Sequence, residues 1–348
     1  MLARSVVGWA GLLAGCKAAD ADLTRPAQHD TAAGSDTFQS DTGQAETGAL
    51  AETANPDSAD SADSATDSGD TATEEKGDWL MVSASTDDFA CGLRLDGTAS
   101  CWGQNDHGQT TPPEGQTFIT IETLSATACG LRADGEVACW GNEAREKELF
   151  DPPPGPWVAL HCGSDDCVAI DPGGHLAWWG SGAFAQQSAP TGEFVSADVA
   201  RSPGEVCAVD SAGALRCWDP DGVEYAPLSG TFAWVTLGGG IGCAVDSTGS
   251  PSCWCYNEGA ESMGIHEPPA AAYASIDLAN LHACGLTTAG EALCWGESRY
   301  WWGSESTVPP AGTYQSVDAG DGFSCGVTVD QHAVCWGLDD YGQSTPPS

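Results

Sequence analysis

The chain is poor in basic residues, and this shortage excludes one class of partner. Of its 348 residues, 11 are Lys or Arg and 50 are Asp or Glu, which gives a formal net charge of −39 at pH 7. A chain with such an excess of negative charge repels polyanions, so nucleic acid is not expected as a partner. Cationic ligands, basic proteins and divalent metals are compatible with the same charge.

Known catalytic motifs are also absent from the sequence. It contains no His-Glu-x-x-His pair, no nucleophile elbow and no phosphate loop. The 7 His are scattered, and the carboxylates are so numerous that no pair stands out as acid and base. The 16 Cys do not show the Cys-x-x-Cys spacing of zinc sites. We therefore predict no catalytic residue, no metal and no cofactor, and an enzyme is the less favoured class.

The apolar stretch near the N-terminus is too short to span a bilayer as a helix. A short basic start is followed by apolar or small residues over 5–15, ending in Leu-Ala-Gly before Cys16. This resembles the lipobox of bacterial lipoproteins, and it predicts a signal peptide over 1–15 and lipidation of Cys16. Lys17 is not the Asp that retains many lipoproteins in the inner membrane, so the outer membrane or cell surface of a bacterium is expected. An ordinary signal peptide with a chance Cys is the alternative.

Residues 16–78 lack the apolar residues that a folded core requires. Phe38 is the only aromatic residue between Lys17 and Asp78, and Asp-Ser-Ala triplets fill 57–65. Such a segment buries too little apolar area to offset its chain entropy, so we predict a lipidated Cys followed by a disordered acidic linker. Calcium binding is the less favoured alternative, because the Asp residues are spaced by three rather than alternating around a glycine corner.

Seven copies of one motif fill residues 79–348: a Cys, a short segment with a turn, and then Cys-Trp-Gly. The period is roughly 40 residues, which is typical of stacked supersecondary units. Within each copy, an alternating strand such as 118–121 or 194–199 precedes a hairpin with Gly at its turn. The copies start at Cys91, Cys129, Cys167, Cys207, Cys243, Cys284 and Cys325.

Two Cys on facing strands of a hairpin lie close enough for a disulfide, and an export signal directs the chain to an oxidising compartment. The predicted pairs are Cys91 with Cys101, Cys129 with Cys139, Cys207 with Cys217, Cys243 with Cys253, Cys284 with Cys294, and Cys325 with Cys335. Free cysteines packed as small apolar residues are the alternative.

The third copy departs from this pattern. Trp178 stands at its second Cys position, its turn is expected to be one residue longer, and Cys162 lies upstream of Cys167. We therefore predict a disulfide between Cys162 and Cys167. This leaves Cys255, for which the sequence allows either a free thiol or exchange with the neighbouring Cys253.

Further details of the motif resemble a known family. The motif resembles the regulator of chromosome condensation repeat in three details. These are the Cys-(Gly/Ala)-(Leu/Val) step, the glycine turn, and Trp-Gly followed by an Asn-x-x-Gly-Gln element, which is present at 102–109 and, in altered form, at 336–343. This resemblance implies an all-β fold, a seven-bladed β-propeller over 79–348, preceded by the disordered acidic linker. The family's eukaryotic archetype exchanges nucleotide on a nuclear GTPase and sits on chromatin. An exported acidic chain meets neither partner, so we do not predict nucleotide exchange.

The segments after each Cys-Trp differ most between copies, and repeat symmetry is expected to place them on one end of the ring. Arg and clustered aromatic residues are typical of protein-interface hot spots, and aromatic faces also stack on sugars. The Trp of each Cys-Trp recurs at fixed phase and is predicted to be structural, whereas Trp301 and Trp302 have packing between blades as a competing interpretation. The candidate binding residues are Arg145, Tyr256, Arg299, Tyr300, Trp301 and Trp302.

Together these patterns predict a lipid-anchored surface propeller that binds a protein or an envelope glycan through its blade loops. Two other classes stay open. One is an envelope glycan hydrolase or lyase with a site in the central funnel. The other is a passive structural or adhesive surface protein.

Overall fold

The computed structural model of the protein describes residues 77–144, 147–163, 165–201, 204–256, 264–296 and 306–347. In these ranges almost all regular structure is β-strand, arranged in seven small antiparallel sheets. No helix in the same ranges is both long enough and apolar enough to cross a membrane. The all-β propeller expected from the sequence is therefore confirmed.

Each sheet is one blade, built from strands that follow one another in the chain. The first four blades contain β1 (Trp79–Ala84), β2 (Phe89–Arg94) and β3 (Ala99–Gly103); β4 (Thr120–Thr123), β5 (Thr127–Leu131) and β6 (Val137–Gly141); β7 (Ala159–Cys162), β8 (Asp166–Ile170) and β9 (Leu176–Gly180); and β10 (Phe194–Val199), β11 (Val206–Asp210), β12 (Leu215–Trp218) and the short β13 (Glu224–Tyr225). The last three contain β14 (Trp234–Leu237), β15 (Ile241–Val245) and β16 (Pro251–Cys255); β17 (Tyr273–Leu278), β18 (His282–Thr287) and β19 (Ala292–Gly296); and β20 (Tyr314–Ala319), β21 (Phe323–Thr328) and β22 (Ala333–Gly337). Two 3-10 helices, Lys147–Phe150 and Ala183–Gln186, lie in the segments that leave the second and third blades.

The blades form a closed ring. The first strand of every blade is its inner strand, because the first strands of neighbouring blades contact one another all the way round. The middle strands β5, β8, β15 and β18 are buried along their whole length, so the core lies between the faces of adjacent sheets. This stacking buries the sheet faces that a single three-stranded blade would expose.

The ring closes by packing the seventh blade on the first. Gly77 donates a backbone hydrogen bond to the Asp330 carbonyl at 2.9 Å, and Trp79 donates one to the Gln331 carbonyl at 3.0 Å. Every sheet is made of consecutive strands only. No strand is therefore exchanged between the two ends of the described chain.

The predicted disulfides are all confirmed. Six bonds join the middle and third strands of a blade, with Cα atoms 4.0–4.1 Å apart. The third blade instead has the Cys162 to Cys167 bond, which joins its inner and middle strands. No cysteine in the described part of the chain is free, and Cys255 is also disulfide-bonded. The alternative of a free thiol at Cys255 is therefore wrong.

The register of the third blade corrects the expected turn. Val168 pairs with Trp178, and these two residues occupy the positions of the first and second Cys of the other blades. Cys167 pairs with Trp179. The turn from Ile170 to Leu176 has the same length as its counterpart from Leu131 to Val137, so the predicted extra residue is wrong. The Cys has moved by one position along the middle strand, where its neighbours are Cys162 on the inner strand and Trp179 on the third strand.

Candidate functional site

Seven side chains meet around the axis of the ring. Each comes from an inner strand, at the position paired with the first Cys of its blade or, in the third blade, with Val168. All seven line one cavity of about 330 Å³, which we call the axial cavity. This axial ring consists of Ser83, Glu122, His161, Asp198, Thr236, Asp277 and Asp318.

Three carboxylates of the axial ring hold neighbouring blades together. Asp198 accepts a hydrogen bond from the Leu237 backbone N–H at 2.8 Å, and Asp277 accepts one from Ala319 at 2.9 Å. Asp318 accepts one from Ala84 at 2.6 Å, across the junction between the last and first blades. The inner edge of a sheet presents backbone N–H groups without a strand partner, and these short acidic side chains satisfy them.

Ser83 performs the same task with a hydroxyl. Its Oγ accepts the Thr123 backbone N–H at 3.1 Å, again one residue after the ring position of the next blade. Sequence reasoning missed this role. The available signal was a polar residue at a fixed offset in strands that are otherwise apolar or small.

The axial cavity is rich in carboxyl groups. Arg201, in the turn after β10, crosses from the fourth blade to Asp277 of the sixth, with a nitrogen to oxygen distance of 3.3 Å. Burial, followed by repulsion from Asp318, raises the pKa of Glu122 well above its ordinary range. Burial and the nearby Asp277 likewise raise the pKa of Asp318. One arginine therefore faces four ring carboxyl groups, and the raised pKa values favour the protonated, neutral form of Glu122 and Asp318.

A second repeated contact anchors the segments that link the blades. The indole N–H of Trp140 donates to the Gln109 carbonyl at 3.0 Å, and that of Trp179 donates to Leu149 at 3.3 Å. Trp102 reaches Gln343 in the same way, so the chain beyond the last strand docks on the first blade. The remaining two bonds join Trp295 to Ile265 at 2.7 Å and Trp336 to Ser306 at 2.8 Å.

These Trp residues are buried structural elements, as their fixed phase predicts. The residues whose carbonyls they hold are buried too, so five linking segments are each fixed to the next blade at one point. The model of the protein family "Regulator of chromosome condensation (RCC1) repeat" matches residues 82–109 and 314–343 of this chain. The chain contains regulator of chromosome condensation repeats. Both matched segments retain the Trp-Gly-…-Gly-Gln element, and they lie in the first and last blades.

Solved structures support the same fold for the repeats. The ectodomain of the receptor kinase CR4 from Physcomitrella patens is 24% identical with a TM-score of 0.61, covering 75% of this chain and 73% of that one. The CRINKLY WD40 ectodomain of the Arabidopsis thaliana receptor kinase ACR4 is 22% identical with a TM-score of 0.60, covering 78% and 99%. Human WBSCR16 is 14% identical with a TM-score of 0.55, covering 70% and 85%. No curated protein is significantly similar to the chain in sequence.

One contact between the repeats resembles a catalytic dyad but lacks its chemistry. His282 Nε2 lies 2.8 Å from Ser324 Oγ, and both side chains are fully buried. Ser324 donates its proton to the Ser306 carbonyl at 3.1 Å, and His282 Nδ1 has no partner among the described residues that would orient the ring. Burial lowers the pKa of His282 to about 4. The pair therefore links two blades and is not a nucleophile with its base.

Most candidate binding residues lie outside the described residues: Arg145, Arg299, Tyr300, Trp301 and Trp302. Cys16 does so as well. The segment that leaves the second blade contains a single turn of 3-10 helix, Lys147–Phe150.

Tyr256 is the candidate that the structure describes. Its hydroxyl donates to the Gly238 carbonyl, and its ring packs against a core cluster of the fourth and fifth blades. Burial raises the pKa of this hydroxyl well above its ordinary range. Tyr256 therefore fixes the start of the segment that leads to Ile265, and its role in binding stays a prediction.

Proposed function

We propose that this protein is an exported, lipid-anchored propeller that binds another protein through the segments linking its blades. The anchored linking segments carry this proposal. Five of the seven segments are fixed by a buried Trp N–H to carbonyl bond, while the residues between anchors differ from blade to blade. A rigid scaffold with variable loops at equivalent positions is a common design for recognition.

Two linking segments have the composition of a binding surface. One begins at Tyr256 and is anchored at Ile265, and the other begins after Gly296 and is anchored at Ser306. The second contains Arg299, Tyr300, Trp301 and Trp302. Aromatic residues and Arg dominate interface hot spots, and this favours a protein as the partner.

The compartment fits an exported protein. Seven disulfides among the described residues suit an oxidising environment. We propose that lipidated Cys16 anchors the chain to the outer membrane or cell surface and that the acidic linker over 16–78 holds the propeller away from the membrane. Detection of a thioether-linked lipid on Cys16 by mass spectrometry tests the anchor separately from binding.

The axial cavity supports catalysis less well. A glycan hydrolase needs two carboxyl groups available to the substrate. Asp198, Asp277 and Asp318 are instead bound to backbone N–H groups of the next blade. Their first task is to hold the ring together.

The test is a cross-linking pull-down from intact producer cells. The full chain is compared with a Tyr300→Ala/Trp301→Ala/Trp302→Ala variant and with a matched variant that has Phe at the same three positions. We expect one partner protein to be captured by the parent chain and by the Phe variant, and to be lost from the Ala variant. Equal melting temperatures check that all three chains fold alike.

Two results would contradict the proposal. A partner that all three chains capture equally would place binding away from this segment. Enrichment of a glycan, or turnover of an envelope polymer, with no protein captured would contradict protein binding and favour a glycan-binding or glycan-cleaving protein.

A further inference from the structure

Four large aliphatic side chains are exposed at one repeated position. This position directly follows an aromatic residue at or just before the start of the inner strand, and in four of the seven blades the strand register shifts there, as in a β-bulge. The exposed fractions are 41% for Leu80, 50% for Ile119, 57% for Val158 and 60% for Val195. These residues belong to the first four blades in order, and we call them the aliphatic arc.

The fold does not require a large apolar residue at this bulge. The other three blades have Ala233, Ala274 and Gln315 there, all exposed, with the same aromatic residue buried just before them. Single exposed aliphatic side chains are ordinary on protein surfaces. Four in consecutive blades are not explained by strand formation, since Leu80 is not β-branched and small residues serve equally well.

Equivalent positions in neighbouring blades come close together in two places. Gln315 Nε2 donates to the Leu80 carbonyl at 3.1 Å, so a long side chain at this position reaches the backbone of the equivalent residue in the next blade. Val158 and Val195 line one surface groove of about 340 Å³ between the third and fourth blades. This groove is the part of the arc in which two of its side chains share one surface.

Carboxyl groups lie on both sides of the arc positions. Ala274, at the equivalent position of the sixth blade, lines the axial cavity with its four ring carboxyl groups. On the outer side, the turn between the middle and third strands contacts the start of the next inner strand, as Phe118 N to Gly97 O shows at 2.8 Å. These turns carry acidic residues at Asp96, Asp134, Asp171, Asp210, Asp246 and Asp330.

The positive charges near the arc are already paired. Arg94 is bonded to Asp78, Arg132 lies 3.2 Å from Asp134, and Arg216 lies 2.7 Å from Glu224. The net charge of this end of the ring therefore comes from the unpaired acids.

We propose that the aliphatic arc docks a basic segment of another protein, in which aliphatic side chains cover the arc and Lys or Arg side chains face the axial cavity and the acidic turns. An apolar centre with a charged rim is the usual anatomy of a protein interface, and opposite charge steers the partner to it. A second copy of this chain would bring two acidic faces together, and its own acidic residues 17–76 would be repelled in the same way. This docking surface is separate from the linking segments of the proposed function.

The test uses the full, oxidised chain and a random peptide library displayed on phage. Peptides selected on the parent chain are counter-selected on a variant with Leu80→Gln, Ile119→Ala, Val158→Ala and Val195→Ala. The fold already accepts these residue types at this bulge, so the variant is expected to melt like the parent. Val223→Ala/Val308→Ala is the matched control, because these valines are 56% and 62% exposed and lie outside the arc.

We expect the selected peptides to combine aliphatic residues with Lys or Arg. Their affinity should fall at least about tenfold for the arc variant and stay unchanged for the control and for the Tyr300/Trp301/Trp302 variant. No enrichment, selected peptides without basic residues, or equal affinity for the parent and arc variant would each overturn the proposal. The linking-segment variant separates this outcome from failure of the proposed function.

Discussion

Asp318 and Glu122 occupy the same position of the axial ring but differ in what they contact. Asp318 accepts the Ala84 backbone N–H at 2.6 Å, which ties the last blade to the first. For Glu122, one methylene longer, no hydrogen bond from the described residues offsets the burial and repulsion that raise its pKa. A buried carboxyl is stabilising where it satisfies a backbone donor, and destabilising where it only loses hydration. Equivalent positions of the repeat can therefore have different effects on stability, which depend on the contact that each side chain makes across the blade junction.

Replacement of Asp318 should give the largest effect. Asp318→Ala leaves the Ala84 N–H unpaired at the junction that closes the ring, and we expect a loss of about 3 kcal/mol in the free energy of unfolding. Asp318→Asn keeps an acceptor oxygen, so it should stay within about 1 kcal/mol of the parent chain. Urea unfolding of the oxidised proteins measures both, and equal losses for Ala and Asn would contradict the role of the hydrogen bond.

The third blade offers a second test, because His161 stands at its ring position and a disulfide lies directly beside it at Cys162. Removing this bond with Cys162→Ala/Cys167→Ala should cost about 2 kcal/mol, slightly less than Cys91→Ala/Cys101→Ala, because it closes a shorter loop. Hydrogen exchange should quicken in inner strand β7 for the first variant only. Faster exchange in β1 for the second variant would show that the inner-strand bond has no special role.

Glu205 extends the comparison to a buried carboxyl outside the ring. Burial, followed by the charge of Asp219, raises its pKa from 4.5 to about 8. The folded state therefore binds more protons between pH 4.5 and 8, and Glu205 lowers stability as the pH rises through this window. Glu205→Gln should stabilise the protein by about 2 kcal/mol at pH 8 and by nothing below pH 4. A gain of the same size at both values would refute the assignment, and thermal melting at the two values measures it.

Glu122→Gln should give the smallest effect, with the same sign. The pKa of Glu122 is raised in the folded state, so its penalty appears only as the pH rises above the ordinary value of 4.5. We expect about 1 kcal/mol of stabilisation at pH 7, because the charge of Arg201 offsets part of the penalty, and none at pH 4. A destabilised variant at pH 7 would mean that the carboxylate has a partner, such as a bound cation, in solution.

The sequence predicted the parts of this molecule that depend on spacing along the chain. The blade number follows from the repeat period, and hairpin pairing and six disulfides follow from cysteines ten positions apart, since a hairpin fixes which residues face each other. The Cys162 to Cys167 bond joins residues five positions apart. The inter-blade contacts of Asp198, Asp277 and Asp318 join residues roughly 40 positions apart, or the two ends of the ring. No local pattern encodes those partners, and the aliphatic arc was missed because its residues form a surface only after closure.

The shift of one residue in the third blade was missed for a related reason. A Cys normally marks the start of the hairpin, and Cys167 was therefore aligned with the first Cys of the other copies. Pairing of Val168 with Trp178 shows that Val168 occupies the first Cys position, and that Cys167 stands one residue earlier, where it bonds to Cys162. Side-chain volume explains the exchange, since Trp178 packs against Phe184 and Trp218 where a disulfide stands in the other blades.

Each of the seven disulfides among the described residues lies within one blade. Apart from the fifth blade, which also carries the bonded Cys255, a blade can therefore be duplicated, deleted or replaced without leaving a cysteine unmatched. Each of the seven pairs can also oxidise as soon as its own blade emerges from the translocation channel, before the rest of the ring exists. The repeats thus carry their covalent bonds with them as separate units.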